Sequence, residues 1–399
     1  MKTIWKTKQS RPSLLLSGFS LLCLVGPSAC RDSAFVGDMD PITGGVGGHG
    51  GATPPSNQVV EVAAGHYHSC ALMADSTVRC WGYNDGGMIG DGTSGAFVRS
   101  PTPVTGLTGA IHVAADYTDS CAQLSDHSLN CWGSNNYGQL GDGTTNQQAT
   151  PVAVLGGRPV EQIALGEYHS CVLLPDGTVG WYGLSMTASN TEQANTALSM
   201  VPGLTSVRQL SIGPTTNCAT LIDGTVSCWR GPLGDGIPIS SATPAPIAGL
   251  SSVAKIAVAT NTLCALMQDG TVRCWGDNSH GAVGDGTTVD RGTPTVVPGL
   301  SAVADLVAGE HHFCALLTGG AAQCWGGTSH GELGDGSKTD RSTPVSVVGL
   351  TSVKQLSLGV THSCALLQAG AVMCWGDELA YISKDSPYVD RVTPSPIVF

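Results

Sequence analysis

Six times along this chain two cysteines stand with nine residues between them: Cys70 with Cys80, Cys121 with Cys131, Cys218 with Cys228, Cys264 with Cys274, Cys314 with Cys324 and Cys364 with Cys374. Paired thiols either oxidise to a disulfide or bind a soft metal. Zinc needs four ligands meeting at one point, whereas each pair here belongs to its own short hairpin. The best-formed copy, Cys264 to Trp275, places Gln268-Asp269-Gly270 at its centre. That reads as a three-residue hairpin loop with Gly in the left-handed position. Met267 then faces Thr271, Leu266 faces Val272 and Cys264 faces Cys274. Counting outward from the turn makes the cysteines a non-hydrogen-bonded pair, with Cα atoms about 4.5 Å apart, at the short end of the disulfide range. Six disulfides within hairpins are expected, and no metal. In a seventh copy Cys171 takes the first position and Trp181 the second, so Cys171 is expected to be a lone, buried thiol.

Other residues with chemical potential also recur. A histidine lies two before the first cysteine at His68, His169, His312 and His362, and Ser-His-Gly occurs at His280 and His330. Gly-Asp-Gly appears at 90–92, 141–143, 234–236, 284–286 and 334–336. Calcium loops need further spaced carboxylates, which are missing, so turn chemistry accounts for these units. There is no P-loop, zinc-protease histidine pair or nucleophile elbow. Glu occurs seven times, and no carboxylate pair stands out from the repeat. The expectation is no catalytic residue and no cofactor.

The first cysteines, at 70, 121, 171, 218, 264, 314 and 364, are spaced 46 to 51 residues apart, which signals a solenoid or a propeller. The chain holds 54 Gly and 22 Pro in 399 residues with only 12% charged residues, a turn-rich composition. Towards the C-terminus, Pro344 to Val348, Val353 to Gly359, Ser363 to Leu367 and Ala371 to Trp375 are short runs bounded by Gly, Pro, Asp or Ser. These read as strands, and no sustained helical stripe interrupts them. Four short strands in each of seven repeats predict an all-β, seven-bladed β-propeller with four antiparallel strands per blade.

The segments Gly65 to Leu72, Asp269 to Gly276 and Asn135 to Gly143 resemble the regulator of chromosome condensation repeat family over all of 58–399. The resemblance implies a seven-bladed propeller in which the recurrent histidines are structural and sit on separate blades. His280 and His330, in adjacent repeats, are expected on one rim. The chain enters at Val59 to Val62 and leaves through Thr393 to Phe399, so the terminal strand is expected to join the first blade and close the ring. The once-per-repeat tryptophans (Trp81, Trp132, Trp229, Trp275, Trp325, Trp375) are expected to pack between blades.

Lys2, Lys6, Lys8 and Arg11 precede an apolar run from Leu14 to Gly26 that ends in Pro27-Ser28-Ala29-Cys30. The run is too short to span a bilayer and fits an export signal. Small residues before Cys30 resemble a bacterial lipoprotein cleavage site, with Cys30 lipidated and the only membrane contact its anchor. The organisation read from the sequence is a signal peptide at 1–29, a Gly-rich linker at 30–57 and the propeller at 58–399. The net charge of −12 opposes binding to nucleic acid. Two repeats lose the Gly-Asp-Gly region: repeat three reads Leu184 to Thr196 and repeat seven Asp377 to Tyr388. Met186, Asn190, Tyr381 and Tyr388 are the expected contacts with an unknown protein partner. The expected function is a non-enzymatic binding or scaffold propeller, exported to the cell envelope or surface. An exported enzyme inhibitor, or a polysaccharide lyase or hydrolase at the channel mouth, is the alternative; guanine-nucleotide exchange is suggested by the family name alone and is opposed by the export signal and the acidic charge.

Overall fold

The computed structural model describes residues 57–95, 97–186, 192–230, 243–377 and 390–399. They form seven four-stranded antiparallel sheets arranged as the blades of a β-propeller. Blade one is built from β1 (Val59–Ala64), β2 (His68–Met73), β3 (Val78–Gly82) and β4 (Val98–Pro103), hydrogen-bonded in chain order. The innermost strands of all seven blades line a central channel. The only helical element among the described residues is a 3-10 turn at Leu155–Gly157.

Each hairpin follows the register expected from its turn. Cys264 lies opposite Cys274 and Leu266 opposite Val272. Gly270 takes φ +79° while Thr271 donates both its amide and its hydroxyl to Asp269 Oδ1, at 2.9 and 2.7 Å. Ser76 and His127 hold the same left-handed position in blades one and two, at φ 64° and 65°. The Asp before each still binds the residue after it, which steadies a conformation that L-residues resist.

Across these hairpins six disulfides are closed, each within its own blade. They join Cys70 to Cys80, Cys121 to Cys131, Cys218 to Cys228, Cys264 to Cys274, Cys314 to Cys324 and Cys364 to Cys374. The Cα atoms lie 4.0 to 4.1 Å apart, closer than the spacing of about 4.5 Å expected for such a pair. Cys131, Cys228 and Cys324 sit on the third strands of blades two, four and six, directly opposite Cys121, Cys218 and Cys314. Cys171, opposite Trp181, is a buried free thiol.

Hydrophobic burial is concentrated between blades. Ala63, Cys70, Leu72, Val78, Ile89 and Val104 of blade one pack against Ala110, Val113, Ala122 and Trp132 of blade two. Six further clusters of the same kind fill the other interfaces. The tryptophans anchor these contacts. Trp132, Trp325 and Trp375 donate their indole N–H to Met88 O, Ala282 O and Glu332 O of the preceding blade, at 2.9, 3.0 and 2.7 Å. Glycines 90, 284 and 334 lie so close to these indoles that an added Cβ would sit 2.8 Å from the ring nitrogen. In blade three Tyr182 takes the indole's place beneath Gly141.

Ring closure corrects the expectation from the sequence. The last strand, Arg391–Ile397, stays in its own blade, pairing Cys374 with Ser395 and Met373 with Pro396. The Thr-Pro strand of blade one likewise turns back onto the Cys-Trp strand of its own repeat, placing Cys80 opposite Thr102. Blades two and six repeat this, with Cys131 opposite Val152 and Cys324 opposite Val345. Among the described residues each blade is built from four strands of one repeat, and no strand is shared. The outer edges carry proline instead (Pro101, Pro151, Pro294, Pro344, Pro394), which removes a donor and blocks edge pairing. Blades seven and one meet through the same type of core as the rest, with Cys364, Leu366, Val372 and Ile397 against Val62, Ala71, Met73 and Trp81. Side chains complete the joint. Gln355 accepts from Val62 N at 3.0 Å and donates to Val62 O at 3.1 Å. Ser357 accepts from Ala64 N at 2.9 Å, and Lys354 donates to Val60 O at 3.2 Å.

Peptide mapping without reductant is expected to link each of the six pairs within its own hairpin. Opening one bridge should cost about 2–3 kcal/mol of stability. Burial pushes the Cys171 thiol up to about 12, so a thiol reagent at neutral pH should label the Cys171 peptide only after denaturation. Links between different repeats, or fast labelling of Cys171 in the native protein, would contradict this arrangement.

Candidate functional site

The recurrent histidines each reach one blade onward. His68 Nε2 lies 2.7 Å from Ser120 Oγ, His169 2.8 Å from Asn217 Oδ1, His312 3.0 Å from Ser363 Oγ, and His362 2.9 Å from Ser69 Oγ. Ser120 and Ser363 donate their hydroxyls to Met88 O and Glu332 O, so each accepts from an imidazole N–H. Burial holds His68, His169 and His312 down to about 3, and they remain neutral ties between blades. Blade two carries Asp119 at this position. It is wholly buried, and neither carboxylate oxygen has a hydrogen-bond partner among the described residues. Burial first, then Asp116, pushes its carboxyl well above the usual range.

His280 and His330 each find a carboxylate of the following blade rather than one another. His280 Nδ1 is 2.8 Å from Asp340, and His330 Nδ1 is 3.3 Å from Asp390. The ligand atoms of His330, Asp377 and Asp390 lie within 4.8 Å of one another. Asp390 is also bound by the Lys338 ammonium, and the same His–Asp pairing one blade earlier makes this a repeated structural contact. Four of the Gly-Asp-Gly loops are occupied by turn bonds, and the fifth, at 234–236, lies outside the described residues. The Asp285 carboxylate accepts from Thr287 N and Oγ1 and from Arg291 Nε, at 2.9, 2.7 and 2.6 Å.

The channel encloses about 230 Å3. At the position opposite the residue two beyond the first cysteine, every inner strand carries a polar side chain: Glu61, His112, Gln162, Gln209, Lys255, Asp305 and Gln355. Most of these are engaged across blades. Glu61 meets His112 at 3.4 Å, Lys255 pairs with Asp305, and Gln162 bonds Leu210 N and O at 2.8 and 3.0 Å. Burial raises Glu61 despite His112. The channel's ionisable groups hold the ring together.

One face departs from this symmetry. In an antiparallel blade the first and third connections emerge on the same side, and Tyr83 N donating to Tyr67 O at 2.8 Å shows the two meeting there. On this mouth face seven rings form an arc over blades one to three. Phe97 packs on Tyr83, Tyr83 on Tyr67, and Tyr67 stacks on His66 at 3.6 Å. His66 touches Tyr117 at 4.0 Å, Tyr117 faces Tyr168 at 6.1 Å, and Tyr168 meets Tyr137 at 5.2 Å. The five tyrosines are half-buried. Burial and nearby acids act on them together. Tyr117 is pushed up to about 12 by burial, then Glu167 and Glu310. Tyr67 is raised by burial, then Asp377 and Glu310, and Tyr168 by burial, then Glu167. Asp116, beside Tyr117, is held up to about 8 by burial and Glu167, whereas burial holds His66 down to about 4 and neutral.

Repeat three adds an arm to the same face. Its third strand, Val179–Met186, runs past Gly183, where the other blades stop, and pairs Leu184 with Ala194 and Ser185 with Gln193 on Glu192–Met200. Gly138, beside Tyr137, approaches Thr196 closely enough that a Cβ would lie 2.9 Å from its methyl. Met186 is thus the last residue of the rising strand, and arm and arc adjoin. Asn190, Tyr381, Tyr388 and Cys30 lie outside the described residues. The arc was missed in the sequence because its members occupy short loops inside the repeat motif. The visible signal was compositional: Tyr67, Tyr117, Glu167 and Tyr168 in repeats one to three stand where repeats five and seven have Thr260, Asn261, Val360 and Thr361.

A family model described as RCC1-like domain matches residues 50–398. Among curated proteins, the probable E3 ubiquitin-protein ligase HERC4 of Homo sapiens is 35% identical over 130 residues, 32% of this chain and 12% of the relative. The ultraviolet-B receptor UVR8 of Arabidopsis thaliana is 31% identical over 137 residues, 33% of this chain and 31% of the relative. The match therefore spans a minor part of either relative. Among solved structures, human WBSCR16 superposes with a TM-score of 0.70 at 21% identity, covering 79% of this chain and 88% of that one. Prp20p of Saccharomyces cerevisiae superposes with a TM-score of 0.69 at 21% identity, covering 86% and 88%. These likenesses establish the fold.

The Asp119 carboxyl yields a pH test. A folded-state value above the unfolded one means the native state holds the proton more tightly. Its stabilising contribution is present below the ordinary carboxylate range and is lost as pH rises. Asp119→Asn should therefore gain stability over the parent as pH rises above the ordinary carboxylate range, measured by urea unfolding. A parent–variant difference independent of pH would contradict the assignment.

Proposed function

This chain belongs to the RCC1-like domain family, and on that premise we propose that it is a non-enzymatic propeller that docks a protein partner on its mouth face. The observation that carries this reading is the tyrosine arc with the repeat-three arm beside it. Tyrosine is enriched at interfaces, where it supplies large contact area at low entropic cost. The contacts expected at Met186, Asn190, Tyr381 and Tyr388 belong to connections of the same class as the arm, and the proposal keeps them as a second part of the surface. Prp20p, whose structure this chain resembles, was studied for binding to Gsp1p and histones, which supports protein binding as a use of the fold. A lyase or hydrolase reading has less support, because Glu61 and Asp305 of the channel are engaged by His112 and Lys255.

The same proposal places the propeller, residues 58–399, outside the cytoplasm, delivered by a signal at 1–29 and tethered through a 30–57 linker from a lipidated Cys30. Six bridged cysteine pairs fit an oxidising compartment. No helix among the described residues is long and apolar enough to cross a membrane.

A photoreactive residue at Gln193 on the arm, compared with one at Ile222 on the opposite face (70% exposed), tests the reading in intact cells. One discrete crosslinked protein from Gln193 and none from Ile222 is expected. Equal crosslinking from both faces, or sustained polysaccharide turnover by the purified chain, would overturn it.

A further inference from the structure

We propose that the tyrosine arc of blades one to three receives a cationic segment of the partner, an extended stretch of polypeptide bearing arginine or lysine. The inference rests on the protein-docking reading above and specifies what that surface recognises.

Charge complementarity carries it. Acids surround the arc. Tyr83 donates its hydroxyl to Asp85 Oδ2 at 3.1 Å, Glu167 acts on Tyr168 and Tyr117, and Glu310 and Asp377 act on Tyr67. Six cations of the chain are engaged by groups outside the arc. Lys255 is held by Asp305 and Lys338 by Asp390, and Arg291 and Arg341 are held by Asp285 and Asp335. Arg208 donates to Val253 O and Ala254 O, and Lys354 to Val60 O. Histidines stand beside two of the mouth acids, His311 at 3.8 Å from Glu310 and His330 within 4.8 Å of Asp377, while His66 within the arc is neutral at physiological pH.

Ring geometry points the same way. Neighbouring rings are tilted, by 78° between Tyr67 and Tyr83, 55° between Tyr117 and Tyr168, and 64° between Tyr137 and Tyr168. Successive units of a sugar chain stack best on aromatic faces that lie nearly coplanar, and these three pairs do not. A guanidinium or ammonium group instead fits between tilted electron-rich faces, with a carboxylate near enough to complete the contact.

The test measures anisotropy of three labelled ten-residue peptides, alternating Gly with Arg, Glu or Ser, against the full chain at low ionic strength. The Arg peptide is expected to bind at least tenfold more tightly than the Ser peptide, with binding weakened by salt. Tyr117→Ala should weaken it about tenfold. Because Tyr117 is half-buried, Glu167→Gln with Glu310→Gln provides a second variant that leaves the rings in place and should give a similar loss. Asp223→Asn, in a turn on the opposite face, should change nothing. Equal affinity for the Arg and Ser peptides, or equal loss from Asp223→Asn, would overturn the inference. So would binding of a chito-oligosaccharide that Tyr117→Ala abolishes, with no affinity for the Arg peptide. If crosslinks form from Gln193 while the Arg peptide fails to bind, the docking reading stands and the cationic ligand is refuted.

Discussion

Everything in this molecule depends on how one blade is fastened to the next. A single four-stranded blade has two apolar faces and cannot bury either alone. Every interface has a hydrophobic cluster, and polar ties join several of them: an inner-strand side chain such as Gln162 onto the Leu210 backbone, a histidine onto the following strand in four blades, and an indole N–H onto the preceding loop in three. A buried side chain that satisfies both polar groups of a neighbouring peptide contributes about 1 kcal/mol per bond and avoids a larger desolvation loss. Gln355 makes the same pair of bonds to Val62, so the joint between the chain ends is of the same kind as the others.

That fastening determines where function is found. The cysteines, histidines, tryptophans and channel carboxylates, all chemically capable, serve the ring: bridged, neutral or paired. Variation appears on the mouth face, whose third connections tuck residues such as Ile89 and Leu333 into the core and present others to solvent. Tyr67, Tyr117 and Tyr168 lie on the shortest of these connections, held by the rigid strands on either side, which gives a binding surface that needs little ordering when a partner arrives. The arm of repeat three extends that surface outward from Tyr137 and Gly138.

Much of the scaffold was legible because it rests on local rules. Spacing and turn residues sufficed to place Cys264 opposite Cys274, and the near-fifty-residue period with its four short strands per repeat pointed to a propeller. Closure was not legible. Whether a Thr-Pro strand pairs back onto its own repeat or forward onto the next depends on a long connection whose direction no residue pattern announces. Only the pairing of Cys374 with Ser395 decides it. The arc escaped for a different reason. Its tyrosines sit at separate repeat positions, and only the fold brings Phe97, Tyr83, His66 and Tyr137 onto one continuous face. Asp119 was not singled out in the sequence, and its lack of a partner is a property of the packed interface.

The central claim is that the ring closes through side-chain ties without a shared strand. Native-state amide hydrogen exchange at Val62 and Leu210 tests it most directly. In the parent protein both amides should exchange with similar, high protection. Gln355→Leu should speed exchange at Val62 by at least tenfold, roughly the 1.4 kcal/mol expected of a lost buried bond, and leave Leu210 unchanged, since Leu210 is held by Gln162. Unaltered protection of Val62 in the variant would show that closure rests on something other than this tie.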